Sequence, residues 1–295
     1  FSSSTIFLSL NFLKKNRHLQ VFKKILIGIA FSPNLKANLF EAIRISNMFG
    51  AELVGVHVGD KSPEKEQQLQ QLLNEVPRLD SPFNTIWQKG KPVDVILETC
   101  KKEQIDLLIL GALQKENLYK YYVGSIAREL TRNAPCSVLL LIKPSIERVP
   151  CKHIVVNGLK DKKTKDTIKT AFKIGNYLDC KRITIVEEIS KAELDIKVSD
   201  DASLRRANIE KERIKKREDI RVEKILSEID CKNTSLKIQS IFGKRGYSIG
   251  HYAKVKRADL LIMNPPRKTS LLDRIFPHDL EYILSELPTD LLIVK

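Results

Sequence analysis

Short apolar runs alternate with amphipathic, charged stretches along most of this chain. The clearest block runs from Asp106 to Ile142. Apolar Leu107–Leu110 ends on Gly111, and a polar, aromatic stretch follows. Gly124-Ser125 then opens an amphipathic segment (Ile126, Ala127, Leu130) that stops near Pro135, before a second apolar run at Val138–Ile142. Apolar runs too short for a helix and bounded by turn residues predict buried strands, whereas apolar residues at helical spacing predict a helix. The block therefore reads as strand, glycine turn, loop, helix, strand. Free N–H groups and the positive end of a helix converge at such a turn, which is where α/β sheets hold phosphate.

The same alternation fills the rest of the chain from Phe22. Lys24–Ala30 predicts a buried strand. Asn34 is placed to cap a helix carrying Leu39, Ile43 and Ile45, and Gly50 is placed to end it. Glu52–Val58 is a second strand. Ser62-Pro63 opens a charged helix to about Val76, and Asn84–Gln88 is a weaker strand expected near an edge. Gly90 and Pro92 turn the chain into a helix over Val93–Lys102. After a proline-bounded linker, Pro144–Pro150, the pattern starts again. Strands are expected at Lys152–Val156, Arg182–Val186, Ser235–Ile241, Asp259–Met263 and Leu291–Val294. Helices are expected at Asp161–Leu178, Leu204–Ile229, Gly246–Val255 and Asp279–Leu287. The long helix has an apolar face of Ile214, Val222, Ile225 and Ile229. Strands alternating with helices imply parallel sheets with right-handed crossovers.

The two halves repeat each other. The run from Gln104 to Gly111 (QIDLLILG) is echoed from Arg257 to Asn264 (RADLLIMN). The run Asn133–Leu141 (NAPCSVLLL) is echoed by Glu286–Val294 (ELPTDLLIV). The Asp before each buried strand is accounted for by turn chemistry alone.

Composition narrows the function. The chain has 295 residues, 42% of them hydrophobic, and a formal net charge of +15. No apolar run approaches the ~20 residues that span a bilayer, so membrane insertion is not expected. The basic excess is dispersed among acids and reads as a solvated surface more than a nucleic-acid surface. The five cysteines contain no C-x-x-C pair, which points to unpaired thiols in a reducing, cytoplasmic compartment. The five histidines show no metal-ligand spacing and read as structural or exposed. Residues 1–21 read as a poorly ordered extension. Ile6–Leu10 is apolar, but charges follow it rather than precede it, so a secretory signal is not expected.

Several stretches together resemble the universal stress protein family. They are the opening KKILIGIAFSPN, the G-K-P-x-x-x-I-L module at Gly90, Lys91, Pro92, Ile96 and Leu97, the run DLLILG, and VGSIARELTRNAPCSVLLL. The resemblance covers about Phe22 to Lys295 and is carried into the second half mainly by the repeat. It implies an α/β fold of two tandem doubly wound domains, 22–144 and a degenerate 151–295. Each would be a five-stranded parallel sheet flanked by helices. The two would pack as an internal pseudo-dimer with Val138–Leu141 beside Leu291–Val294, covering two apolar edges.

The resemblance also implies a phosphate loop of the form G-x-x-G, nine residues, G-[S/T], which binds ATP in one branch of the family. Aligned here, its positions are Gly111, Gln114, Gly124 and Ser125. One glycine is lost at Gln114, where a left-handed φ would cost a non-glycine residue about 1 kcal/mol or more. The family's acidic nucleotide contact after the first strand falls on Ala30, and the site extends to Val56 on the second strand. In the second half the same spacing gives Asn264, Arg267, Pro277 and His278, with no glycine, and Pro277 has no N–H to donate.

Other stretches read more simply. Gly243-Lys244-Arg245-Gly246 lacks the Walker pattern and reads as a turn, with phosphate contact as the alternative. Arg267, Lys268 and Arg274 offer side chains to an acidic ligand but read as a solvated loop. Tyr119, Tyr121 and Tyr122 with Lys115 and Lys120 suit a partner-facing loop better than base stacking. Arg205–Arg217 reads as the wet face of a helix rather than an RNA surface. No catalytic set and no metal pattern emerges.

The expectation is a non-enzymatic, cytoplasmic stress-response protein that binds other proteins or itself, with at most a weak nucleotide or anion site in the first domain. The alternative is an ATP-binding switch with slow hydrolysis. DNA binding is not expected.

Overall fold

The structure is a computed structural model, and it describes residues 21–114, 121–190, 193, 199–231, 234–265 and 279–295. These residues form two compact units. One comprises the chain through Gly111 with Ser125–Val149. The other comprises Ala112–Gly124 with Pro150–Lys295.

The strands of the first unit are β1 (Lys24–Gly28), β2 (Glu52–Val58), β3 (Asn84–Gln88), β4 (Leu107–Gly111) and β7 (Ser137–Leu141). They pair in the order β7-β4-β1-β2-β3, all parallel. The helices are α1 (Leu35–Phe49), α2 (Pro63–Glu75), α3 (Pro92–Lys102) and α4 (Ser125–Asn133). The apolar runs form central strands because both faces are covered. Leu26, Leu53 and Leu108 are fully buried, whereas Asn84–Gln88, the weakest run, lies at an edge. Ser62 caps α2 by accepting the Lys65 N–H, with Pro63 in the first turn. Asn34 precedes α1 without a side-chain cap, contrary to the sequence expectation, because its own backbone is already helical.

The second unit repeats this order. Its strands are β8 (His153–Asn157), β9 (Arg182–Ser190), β10 (Ser235–Gly243), β11 (Leu260–Met263) and β12 (Asp290–Ile293). They run β10-β9-β8-β11-β12, again parallel. Its helices are α5 (Thr164–Tyr177), α6 (Asp201–Leu226), α7 (Tyr247–Val255) and α8 (Asp279–Glu286). Two short strands, β5 (Leu113–Gln114) and β6 (Tyr121–Tyr122), pair antiparallel in the same unit. Gln114 is therefore extended, and the left-handed strain expected of it does not arise.

The repeat extends to single hydrogen bonds. Asp106 Oδ2 accepts the N–H groups of Lys23 (2.8 Å) and Lys24 (3.0 Å). Asp259 Oδ2 accepts those of Lys152 (2.7 Å) and His153 (2.9 Å). Each Asp thus holds the start of the neighbouring strand, which turn chemistry alone did not foresee. Gln104 and Arg257, two residues earlier in each copy, both take a positive φ at the helix end, 52° and 49°.

Candidate nucleotide and anion sites

In both sheets the strand order turns back beside the first strand, so ligands are expected outside the carboxyl ends there. In the first unit Gly111 ends β4. A Cβ on it would lie 2.6 Å from Asn38 Nδ2, so glycine is what lets the Asn38 side chain pack over this strand end. Asn38 Oδ1 is buried there without a hydrogen-bond partner among the described residues. Ala30 is exposed and carries no carboxylate. Val56 is buried, and its carbonyl accepts the Ile29 N–H at 2.8 Å. Ser125 begins α4 and is exposed, with Gly124 just before it. Gln114 sits in β5, in the other compact unit.

Three aromatic rings from different strand ends meet in this unit, a grouping the sequence did not announce. His57 packs edge-on to Phe31 (centroids 5.1 Å) and Trp87 (4.9 Å). His57 Nδ1 lies 2.8 Å from the Ile29 carbonyl, and Nε2 lies 3.1 Å from Lys65 Nζ. The network assigns the ring proton to Nδ1, which donates to Ile29, leaving Nε2 to accept from Lys65.

The corresponding strand ends of the second unit are filled differently. Asn264 follows β11 where Gly111 ends β4. Its Nδ2 donates to Thr164 Oγ1 at 2.8 Å, and Thr164 in turn donates to the Leu159 carbonyl. The Asn264 amide is thus tied to the start of α5. At the end of β8, Asn157 Oδ1 accepts the Leu159 N–H at 2.7 Å, so this turn satisfies itself.

The β9 position that corresponds to His57 is Glu187. Its Oε1 accepts from Arg221 Nη2 at 2.8 Å, and Arg221 also donates to the Gly158 carbonyl and to Glu218 (2.8 Å). Burial dominates here and pushes the Glu187 carboxyl up to about 7, although Arg221 opposes it. Burial also works against the Glu218 carboxylate, but hydrogen bonds from Arg221 and Arg217 outweigh it and hold Glu218 below its usual range.

The Gly243-Lys244-Arg245-Gly246 turn leads into α7, and Gly246 takes a φ of 75°, which suits glycine. The N–H groups of Gly246 and Ile249 at this helix start already donate to the Glu188 carboxylate, at 3.0 and 2.8 Å. Glu188 is buried and takes the place an external anion would have. Beside the turn lies a cavity of about 860 Å³ lined by Phe242, Lys244, Tyr247, Ser248 and Tyr282 among others. Lys244 Nζ sits 4.2 Å from the Tyr282 ring centre.

Arg267, Lys268, Arg274, Pro277, His278, Tyr119, Lys115 and Lys120 lie outside the described residues. So does the extension up to residue 20. Among the described residues no group of three or more His, Cys, Asp or Glu is placed to hold a metal ion. No helix among them is long and apolar enough to cross a membrane.

Two α/β units with the same parallel strand order define the class of protein. Residues 22–141 match the universal stress protein family, and the strand order of that stretch is repeated in the second half of the chain. A universal stress protein of Methanocaldococcus jannaschii is 27% identical over 146 residues, 43% of this chain and 86% of that protein. A universal stress protein of Archaeoglobus fulgidus superposes with a TM-score of 0.68 at 14% identity, covering 92% of this chain and 98% of that one. A functionally unknown protein of Pseudomonas aeruginosa superposes with a TM-score of 0.68 at 18% identity, covering 94% of each chain. The last two establish likeness of fold along nearly the whole chain.

Proposed function

We propose that this is a cytoplasmic stress-response protein that acts by binding partners rather than by catalysis, with a weak nucleotide or anion site in its first half. The observation that supports this reading is the difference between two corresponding strand ends. β4 ends on Gly111, with a glycine-serine helix start at Gly124 and Ser125. In the second half an Asn264 side chain is bonded into the same position. The site in the first half is weak because Asn38 leans on Gly111 and the Ala30 side chain offers no polar contact. The N–H groups and hydroxyl of Gly124-Ser125, at a helix start, remain for a small anion. The cysteines, none of them disulfide-bonded, favour a reducing compartment.

Calorimetry of the full chain with ATP and Mg²⁺ tests this. A dissociation constant above about 100 μM, weakened further in Gly124→Val, supports the weak site. Low-micromolar binding that Gly124→Val abolishes, with measurable phosphate release, supports the ATP-switch alternative instead.

A further inference from the structure

Cys151 and Cys180 lie at the starts of two paired parallel strands. β8 begins at His153 and β9 at Arg182, and these two residues are partners in the register. Cys151 and Cys180 each stand two residues before their strand, so they carry the register two steps beyond its first pair. Neighbouring strands run about 4.8 Å apart, inside the ~4.4–6.8 Å Cα separation that a disulfide accepts. The two thiols interact across this strand pair. The Cys180 thiol also donates to the Arg182 carbonyl oxygen at 3.4 Å. Neither residue is C-x-x-C paired in the sequence; thirty residues of chain, including α5, fold back to bring them together.

We propose that Cys151 and Cys180 are a peroxide-responsive thiol pair that closes to a disulfide in the second half of the chain. The two thiols share their protons unequally. The interaction with Cys151 stabilises the Cys180 thiolate and holds it down to about 7 against the effect of burial, while Cys151 is held well above the ordinary thiol range. Cys180 is therefore the nucleophile and Cys151 the resolving thiol. Cys151 is half-buried, which leaves the pair an opening to a small oxidant.

The Cys180 thiolate attacks one peroxide oxygen. The S–O bond forms, the O–O bond breaks, and the leaving hydroxide takes up a proton to become water. Cys151 sulfur then attacks the resulting sulfenic sulfur. The S–S bond forms, the S–O bond breaks, and a second water leaves with the Cys151 proton. Two thiols lose two electrons, and one peroxide becomes two waters.

The first half holds a built-in comparison. Cys100 and Cys136 also interact with each other, but both are buried, at 1% and 6% exposure, and that interaction together with burial pushes the Cys100 thiol up. That pair lacks the opening to solvent that Cys151 provides.

The test treats the reduced full chain with hydrogen peroxide, unfolds it in an alkylating agent, and maps its peptides by mass. The expected result is a fall from five titratable thiols to three, with one linked peptide joining Cys151 to Cys180 and full reversal by dithiothreitol. In Cys151→Ser the linked peptide is lost and Cys180 accumulates a dimedone-reactive sulfenic acid. If Cys151 and Cys180 of the wild-type chain are both recovered as free thiols, or are linked to other cysteines, the proposal is overturned. That result would leave the nucleotide reading untouched.

Discussion

Glu187 shows how one buried side chain couples this fold to pH. It is 2% exposed, and burial raises its carboxyl to about 7. The folded state therefore holds this proton more tightly than the unfolded chain does. Its favourable contribution is fully present below the ordinary carboxyl range and is lost as pH rises towards about 7. Glu187→Gln keeps an acceptor for Arg221 and removes the titration. Urea unfolding of the wild-type chain at pH 5 and pH 8 is expected to show a loss of about 1–3 kcal/mol that the variant does not show. Equal pH dependence in the two proteins would contradict this assignment.

Residues of this kind were the least legible in the sequence. Glu187 sits in an apolar strand, and nothing local to it announces Arg221, which lies on a different element. His57 is as quiet, because its partners Ile29 and Phe31, Lys65, and Trp87 come from three separate stretches. Asn38 likewise reads as an ordinary helix position until Gly111 is placed beneath it. Gly111, Gly124 and Ser125, by contrast, were legible as turn and helix-start residues because their roles are local.

At the scale of elements, the helix starts and stops were legible where a single residue dictates the backbone. Gly50 takes a φ of 62° at the end of α1, and Ser62 caps α2. The long helix was legible too, but its buried stripe is Ala207, Ile214, Glu218 and Val222 rather than aliphatic throughout. Glu218 was hidden because a charged residue in a helical stripe reads as a break in the pattern until its arginine partners are seen.

The start of α7 reads as a turn and is one, but the sequence did not show that Glu188 from β9 fills the helix start. Glu188→Ala leaves the Gly246 and Ile249 N–H groups without that acceptor inside the fold. The expected cost is about 1–3 kcal/mol of stability, read as a lower urea midpoint. An unchanged midpoint would mean that water or another group serves those donors equally well.

At the scale of the molecule, the duplicated strand order was the most legible feature of all, because buried parallel strands read as unbroken apolar runs and recur in the same order. Within each unit the terminal strands β7 and β12 are apolar, SVLLL and DLLI. An isolated half would present such a strand as a template for pairing. The pseudo-dimer expectation from the sequence therefore predicts that each half, expressed alone, self-associates in size-exclusion chromatography with light scattering while the intact chain runs as a monomer. Monomeric isolated halves would contradict it.

The two copies share a fold but not the contents of their strand ends, and the account as a whole depends on that difference. The most direct measurement is hydrogen exchange of the full chain with and without millimolar ATP and Mg²⁺. The account predicts added protection confined to first-half peptides that contain Ala30, Val56, Gly111 and Ser125. Peptides containing Asn157 and Asn264 should be unchanged. Protection centred on Asn157 and Asn264, with the first-half peptides unmoved, would contradict it.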